Sequence, residues 1–297
     1  MKILITDGIS PFGQEILRDN GIDFDIQHYE HDELLKVIPE YDGILVRSAT
    51  KVPKDIIDAG KNLKLIARGG TGIDNIDHQY AKSKGIPVLN TPGANSASVS
   101  ELVFAHMFAL ARFIPQANIT MRKGEWNKKS YKGVELKGKT LGIVGFGKIG
   151  QITANMALSL GMSVLAYDLA EIKTDLDIKI VSKEELLKES DFITLHVPKQ
   201  AQNFITKAEF ELMKPTVFLI NTSRGGVVNE EDLLEALNNG KIAGAGIDAF
   251  LNEPTPNSEL VNHPKVSCTP HIGASTKEAQ DRVGIQIAEK IVAVLNQ

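Results

Sequence analysis

The sequence predicts an α/β protein built from two doubly wound parallel-sheet domains, and three observations carry that expectation. The chain has 297 residues, about twice the roughly 150 of one ordinary domain. Short apolar runs alternate with helical patterns nearly from end to end, which implies parallel sheets covered by helices. Runs such as Val217-Phe218-Leu219-Ile220 are apolar at consecutive positions, as in strands buried on both faces.

The first element is Lys2–Thr6, a buried strand running into a turn at Asp7-Gly8 and far too short for a signal peptide. Further strands are expected at Gly43–Val46, Leu65–Ala67, Pro87–Leu89, Thr140–Val144, Ser163–Tyr167, Phe192–His196, Val217–Asn221, Ala243–Asp248 and Val266–Thr269. Helical patterns separate them, among them Pro11–Asn20, Asp55–Ala59, Gln151–Leu160, Lys183–Lys188 and Glu230–Asn238. Turn formers crowd at Asn90-Thr91-Pro92-Gly93-Ala94-Asn95, and Ser98-Val99-Ser100-Glu101 has capping-box spacing, so a long helix is expected to start at Ser98. That helix is apolar on most of its circumference through Ala111, as suits either a core helix or a subunit interface. The chain crosses back near Thr269-Pro270-His271-Ile272-Gly273-Ala274 into a final helix, Thr276–Leu295. One domain would comprise residues 1–94 with 275–297, and the other residues 95–274.

Composition narrows the class. Hydrophobic residues make up 42% and charged residues 24%, with a mean hydropathy of −0.08, which excludes a disordered or fibrous chain. A net charge of −4 leaves no basic footprint for nucleic acid. The one cysteine, Cys268, excludes an intramolecular disulfide. The segment Val99–Leu110 is too short to span a bilayer of about 30 Å, so no membrane is expected and the cytoplasm is the default location.

Gly145-Phe146-Gly147-Lys148-Ile149-Gly150 is a G-x-G-x-x-G element placed between an apolar strand and a helical pattern. Gly145 allows the tight turn, Gly147 lets backbone approach a pyrophosphate, and Gly150 lets helix and strand pack closely. The next strand ends in Asp168, at the distance of about 20 residues expected for a carboxylate on the ribose hydroxyls. No arginine follows Asp168, so NAD is favoured over NADP. The bland alternative is a glycine turn that binds nothing.

Three later strand ends carry reactive groups: Arg224 in Asn221-Thr222-Ser223-Arg224-Gly225-Gly226, Glu253 before Pro254, and His271 after Pro270. In an open parallel sheet, ligands bind beyond the carboxyl ends of strands. A histidine ionises near neutrality and suits the base that takes a hydroxyl proton while hydride leaves carbon. Glu253 would fix its tautomer, and the forked Arg224 would hold a substrate carboxylate. Taken singly, each is as well explained as a surface group. Arg47 and Arg68 follow two neighbouring strands, and Arg68-Gly69-Gly70-Thr71-Gly72 could form a backbone nest, suggesting an anion of more than one charge.

Together these motifs resemble the D-2-hydroxyacid dehydrogenase family over essentially the whole chain. Arg47-Ser48-Ala49-Thr50-Lys51-Val52, Arg68 to Asn75, Gly133-Val134-Glu135-Leu136 and Gly273 to Gln280 are similar to its D-3-phosphoglycerate dehydrogenase subfamily. The resemblance implies a Rossmann NAD-binding domain inserted into a flavodoxin-like substrate domain, with the active cleft between them. It implies Arg224, Glu253 and His271 as catalytic residues. Beyond the glycines and Asp168, it implies NAD contacts from Thr71, Lys148, Ile149, Val197, Pro198, Thr222, Ser223, Asp248, Gly273 and Ala274. Substrate contacts would come from Arg47, Ser48, Arg68 and Gly70, and no metal is implied.

The resemblance further implies a homodimer formed through the NAD-binding domain, in which the segment Trp126 to Tyr131 reaches the partner's cleft. Lys128 stands where close relatives carry an arginine, a point charge in place of a bidentate fork. Many phosphoglycerate dehydrogenases continue into a serine-binding regulatory domain, whereas this chain stops at Gln297, so serine feedback through such a domain is not expected. The implied reaction is NAD⁺-dependent oxidation of D-3-phosphoglycerate to 3-phosphohydroxypyruvate. Two other readings stand beside it. One is a glyoxylate, hydroxypyruvate or other D-2-hydroxyacid reductase of the same mechanism. The other is an NAD-sensing, peptide-binding corepressor, against which the intact trio speaks.

Overall fold

The computed structural model describes residues 1–199 and 202–295. The chain divides into two compact units, Met1–Asn95 with Ala274–Gln297, and Ser96–Gly273. In chain order the first unit contains β1 (Lys2–Ile5), α1 (Pro11–Asp19), β2 (Asp23–Ile26), α2 (His31–Val37), β3 (Gly43–Val46), α3 (Lys54–Ala59), β4 (Leu65–Arg68), α4 (His78–Ser83) and β5 (Val88–Asn90). The second contains α5 (Ser96–Ala111), α6 (Ile114–Arg122), β6 (Thr140–Val144), α7 (Lys148–Ser159), β7 (Ser163–Tyr167), β8 (Lys179–Ile180) and α8 (Lys183–Glu189). It continues with β9 (Phe192–Leu195), α9 (Lys207–Leu212), β10 (Phe218–Asn221), α10 (Glu230–Asn238), β11 (Gly244–Ile247), α11 (Ser258–Val261) and β12 (Val266–Cys268). The last helix, α12 (Lys277–Leu295), returns to the first unit.

Each unit is one parallel sheet covered on both faces. The first has strand order β2-β1-β3-β4-β5 and the second β12-β11-β10-β9-β6-β7-β8. Every strand pair is parallel, so within a sheet all carboxyl ends lie along one edge. The order reverses between β1 and β3 in the first sheet and between β6 and β9 in the second. Those two points are where doubly wound sheets open a crevice for ligands.

Alternate strand residues feed opposite layers. In the first unit Leu4, Ile44 and Ile66 pack with Leu34 and Ile56, while Ile3, Ile5 and Leu45 pack with Leu17, Ile287 and Ile291. In the second, Ile193, Leu219 and Ile247 pack with Phe210 and Leu233, while Leu141, Ile143 and Ile220 pack with Val103, Met107 and Ala154. Each fully buried side chain of this size contributes about 1.5–3 kcal/mol. Two glycines seat α12 on α1: a Cβ at Gly13 would stand 2.6 Å from the Gly284 carbonyl oxygen, and one at Gly284 would stand 2.2 Å from Ser10 Oγ.

Two strands lie outside the expected set. β2 is half-exposed with polar and apolar residues alternating, and β8 is two exposed residues. Both are edge strands, covered on fewer sides, so neither needs a continuous apolar run. The long helix also begins earlier than expected, at Ser96. Ser98 does not cap it, because its hydroxyl donates to the carbonyl of Gly273 at 2.6 Å. Within its unit α5 packs on α7 and β10 to β12 and is largely buried. Among the described residues, no single helix is long and apolar enough to cross a membrane; α5 and α6 reach that composition only together, and are bent by 62°.

Candidate active site

The glycine loop after β6 has the backbone its sequence requires. Gly145 has a φ of +89°, in the left-handed region, and a Cβ there would meet the His196 carbonyl oxygen at 2.7 Å. Gly150 lies so close to the loop that a Cβ would stand 2.4 Å from the Gly145 oxygen. A Cβ on Gly147, by contrast, would enter open space. Gly147 is the N-cap of α7, and no side chain caps that end. The first turn of α7 thus presents uncapped N–H groups and the positive end of a twelve-residue helix, the setting for a pyrophosphate.

Neighbouring strand ends fit the rest of a dinucleotide. Asp168 follows β7; its Oδ2 accepts the Phe146 N–H at 2.6 Å and its Oδ1 the Ala170 N–H at 3.0 Å. Those bonds fix the carboxylate beside the glycine loop and leave lone pairs for ribose hydroxyls. Val197 and Pro198 follow β9, and the Val197 side chain lies against Gly145. Lys148 and Ile149 open α7. Thr222 Oγ1 and His196 Nδ1 are buried and meet no hydrogen-bond partner among the described residues. Buried polar atoms without partners cost free energy, so their presence at this edge suits a bound polar molecule. Burial alone holds the His196 pKa down to about 3.

The trio rises from three adjacent strands, β10, β11 and β12. Asn221 shapes the first loop: its Oδ1 accepts the Ser223 N–H at 3.1 Å and hydroxyl at 2.7 Å, and its amide donates to the Arg224 carbonyl at 3.0 Å. The Arg224 guanidinium donates to the Ser223 carbonyl at 2.7 Å. Gly225 allows that loop to press on the next, since a Cβ there would stand 1.8 Å from the Phe250 oxygen. The Phe250 N–H donates to Glu253 Oε1 at 2.9 Å, and His271 Nδ1 lies 2.8 Å from Glu253 Oε2. The three expected residues are therefore linked loop to loop. With a carboxylate on Nδ1, that nitrogen carries the proton and Nε2 is the basic atom.

His271 has a φ of +53°, rare for any residue but glycine. Asp248, 1% exposed, holds that conformation. Its Oδ1 accepts the Thr269 hydroxyl at 2.6 Å and the Ile272 N–H at 2.8 Å, and its Oδ2 the Gly273 N–H at 2.8 Å. Buried His106 braces the same strand through Ser267 at 2.9 Å and Thr269 at 3.1 Å. Desolvation lowers the His106 pKa, and the charge of Asp248 partly offsets this. Sequence reasoning singled out neither His106 nor Asn221; their signal is a polar residue on an otherwise apolar helix or strand.

The first unit carries the remaining expected residues. Arg47 and Ser48 follow β3, and Arg68 ends β4, in register with Val46. Gly70 has a φ of +152°, and the Arg68 guanidinium folds so closely over it that a Cβ would stand 1.8 Å from Nη1. The expected nest is smaller than its glycines suggest, because the Gly69 N–H donates to the Val46 carbonyl and the Gly70 N–H to that of Arg68. Thr71 donates its hydroxyl to Asn95 at 2.9 Å, and Ala274 reopens this unit. Lys128 lies in an exposed helical turn, Lys128–Ser130, after the exposed Trp126.

Comparison with known proteins gives these features a context. Residues 104–273 match the D-isomer specific 2-hydroxyacid dehydrogenase, NAD binding domain. The chain is 50% identical over 283 residues to a protein of Thermotoga maritima named hydroxypyruvate reductase, covering 94% of this chain and 92% of that one. It is 43% identical over 299 residues to the D-3-phosphoglycerate dehydrogenase of Archaeoglobus fulgidus, covering 98% of this chain but 57% of the relative. Its fold superposes with a TM-score of 0.88 on the D-lactate dehydrogenase of Aquifex aeolicus solved with NAD and lactic acid, at 31% identity, covering 99% of this chain and 95% of that one. The cofactor is NAD. The chain belongs to the D-isomer specific 2-hydroxyacid dehydrogenase family, and the unit Ser96–Gly273 is where that family binds its cofactor.

Proposed function

We propose that this enzyme oxidises D-3-phosphoglycerate to 3-phosphohydroxypyruvate. The observation that carries the chemistry is the linked series of Arg224, Glu253 and His271 at one sheet edge. When bound, NAD⁺ is the hydride acceptor. His271 Nε2 takes the proton of the C2 hydroxyl as that carbon becomes a carbonyl. Glu253 holds Nδ1–H and stabilises the imidazolium that forms. Arg224 fixes the carboxylate and polarises the reacting oxygen. In the first unit, Arg47, Ser48, Arg68 and Gly70 hold the remaining anionic groups.

Asp168 accepts the ribose hydroxyls and repels a 2′-phosphate, which selects NAD over NADP. Phe108, Ile114, Ile119, Met121 and Trp126 are exposed apolar residues on α5, α6 and the segment after them, and they supply a homodimer contact through the NAD-binding unit. Lys128 would then act on the partner's substrate.

The relationship to the Thermotoga protein favours a second reading, reduction of hydroxypyruvate or glyoxylate by the same trio. The two readings differ by one phosphate. The test is the ratio of kcat/KM for 3-phosphohydroxypyruvate to that for hydroxypyruvate, measured with NADH. Charge-assisted bonds to a phosphate are worth about 1.5–3 kcal/mol each, so the phosphorylated acid should be preferred by about a hundredfold. A ratio near one hands the activity to the second reading.

A further inference from the structure

The loop Arg47-Ser48-Ala49-Thr50 leaves β3 with Ser48 and Ala49 exposed at its tip, yet both of its ends are fixed from two sides. On one side stands Asp7, just beyond β1, with its side chain only 7% exposed. Its Oδ2 accepts the N–H groups of Arg47 at 2.7 Å and Thr50 at 3.1 Å, and its Oδ1 accepts the Thr50 hydroxyl at 2.8 Å. On the other side the Asn75 amide donates to the carbonyls of Arg47 at 2.7 Å and Thr50 at 2.6 Å. Asn75 is itself anchored, its carbonyl accepting the Val52 N–H at 2.8 Å.

This arrangement differs from ordinary loop packing in two respects. A nearly buried carboxylate gives its hydrogen bonds to one tetrapeptide, and the half-exposed His28 lies 3.5 Å from it. Asp7 and Arg47 also wall the same crevice, a cavity of about 640 Å³ at the carboxyl ends of β1, β3 and β4 where the strand order reverses.

We infer that Asp7 and Asn75 are positioning residues that set the pose of Arg47 and Ser48 toward the acid's distal group. The inference rests on the reading above only in taking that loop as substrate-holding. Asp7 fixes the backbone from which the guanidinium projects, so that the cation meets its anion without reordering the loop.

The test compares Asp7→Leu with Asp7→Asn. Leucine is of similar size and removes every acceptor. Asparagine keeps the clamp: its carbonyl accepts both N–H groups while its amide donates to the Thr50 hydroxyl oxygen. Asp7→Leu should raise KM for D-3-phosphoglycerate about ten- to a hundredfold, with KM for NAD⁺ unchanged. Asp7→Asn should stay close to the native enzyme. Should Asp7→Leu fail to fold, Asn75→Leu releases the same loop from the other side and should show the same selective rise. An unchanged acid KM in the folded variant overturns the inference, as does an equal rise in both KM values. If the native enzyme shows no preference for the phosphorylated acid, the substrate reading fails by itself. The clamp is then judged on KM for whichever 2-hydroxy acid it does turn over.

Discussion

His196 lies behind the glycine loop as a neutral imidazole, and its burial has a consequence at acid pH. With a folded pKa of about 3 against about 6.5 in the unfolded chain, it is neutral in both states above pH 6.5. As pH falls below 6.5 the unfolded chain binds a proton that the native state does not, so stability falls, and the loss continues down to about pH 3. By pH 5 this one group should cost about 2 kcal/mol. Urea titrations of the cofactor-free protein should therefore show a shallower loss between pH 6.5 and 5 in His196→Gln than in the native chain; parallel curves would refute the assignment. Arg224, Glu253 and His271 were legible in sequence because each follows a strand within a compact motif. Asp7 also follows a strand, but its role depends on Thr50, 43 positions away, and no local pattern announces that pairing. The first half of the expected nest is closed by bonds to Val46 and Arg68, which glycine content does not announce, because it reveals freedom of φ and not where an N–H points.

At the scale of elements, the glycine loops separate folding from binding. Gly147 has a φ of −72°, which alanine accepts, and open space where its Cβ would stand. Gly147→Ala should leave the melting temperature of the cofactor-free protein in place while raising KM for NAD⁺ at least about tenfold, because the methyl occupies the pyrophosphate's approach. Gly225→Ala should do the opposite, lowering the melting temperature by several degrees as the added Cβ forces its loop off Phe250. Calorimetry paired with cofactor kinetics checks both, and similar behaviour of the two variants would contradict the contact geometry. Ten strands were legible because most of them are buried and apolar at consecutive positions, whereas the half-exposed β2 alternates polar with apolar residues and β8 is two exposed residues, so neither carries such a signal. The start of α5 is not legible from the Ser98–Glu101 capping-box spacing, because Ser98 lies inside the helix and spends its hydroxyl on the Gly273 carbonyl.

For the whole molecule, the two sheets divide the labour by residue type. The unit Ser96–Gly273 contains the glycine loop, the acid proposed for the ribose and all three groups proposed for proton and carboxylate handling. The unit formed from both chain ends contributes the cations proposed for the rest of the substrate, Arg47 and Arg68. Altering the base should therefore stop the chemistry without touching cofactor affinity. The direct measurement is kcat for D-3-phosphoglycerate alongside the dissociation constant for NADH, in the native enzyme and in His271→Gln. The expected result is a fall in kcat of about 10²- to 10⁴-fold with an unchanged dissociation constant. Turnover that survives the substitution, or NADH binding lost together with it, would contradict the role given to His271.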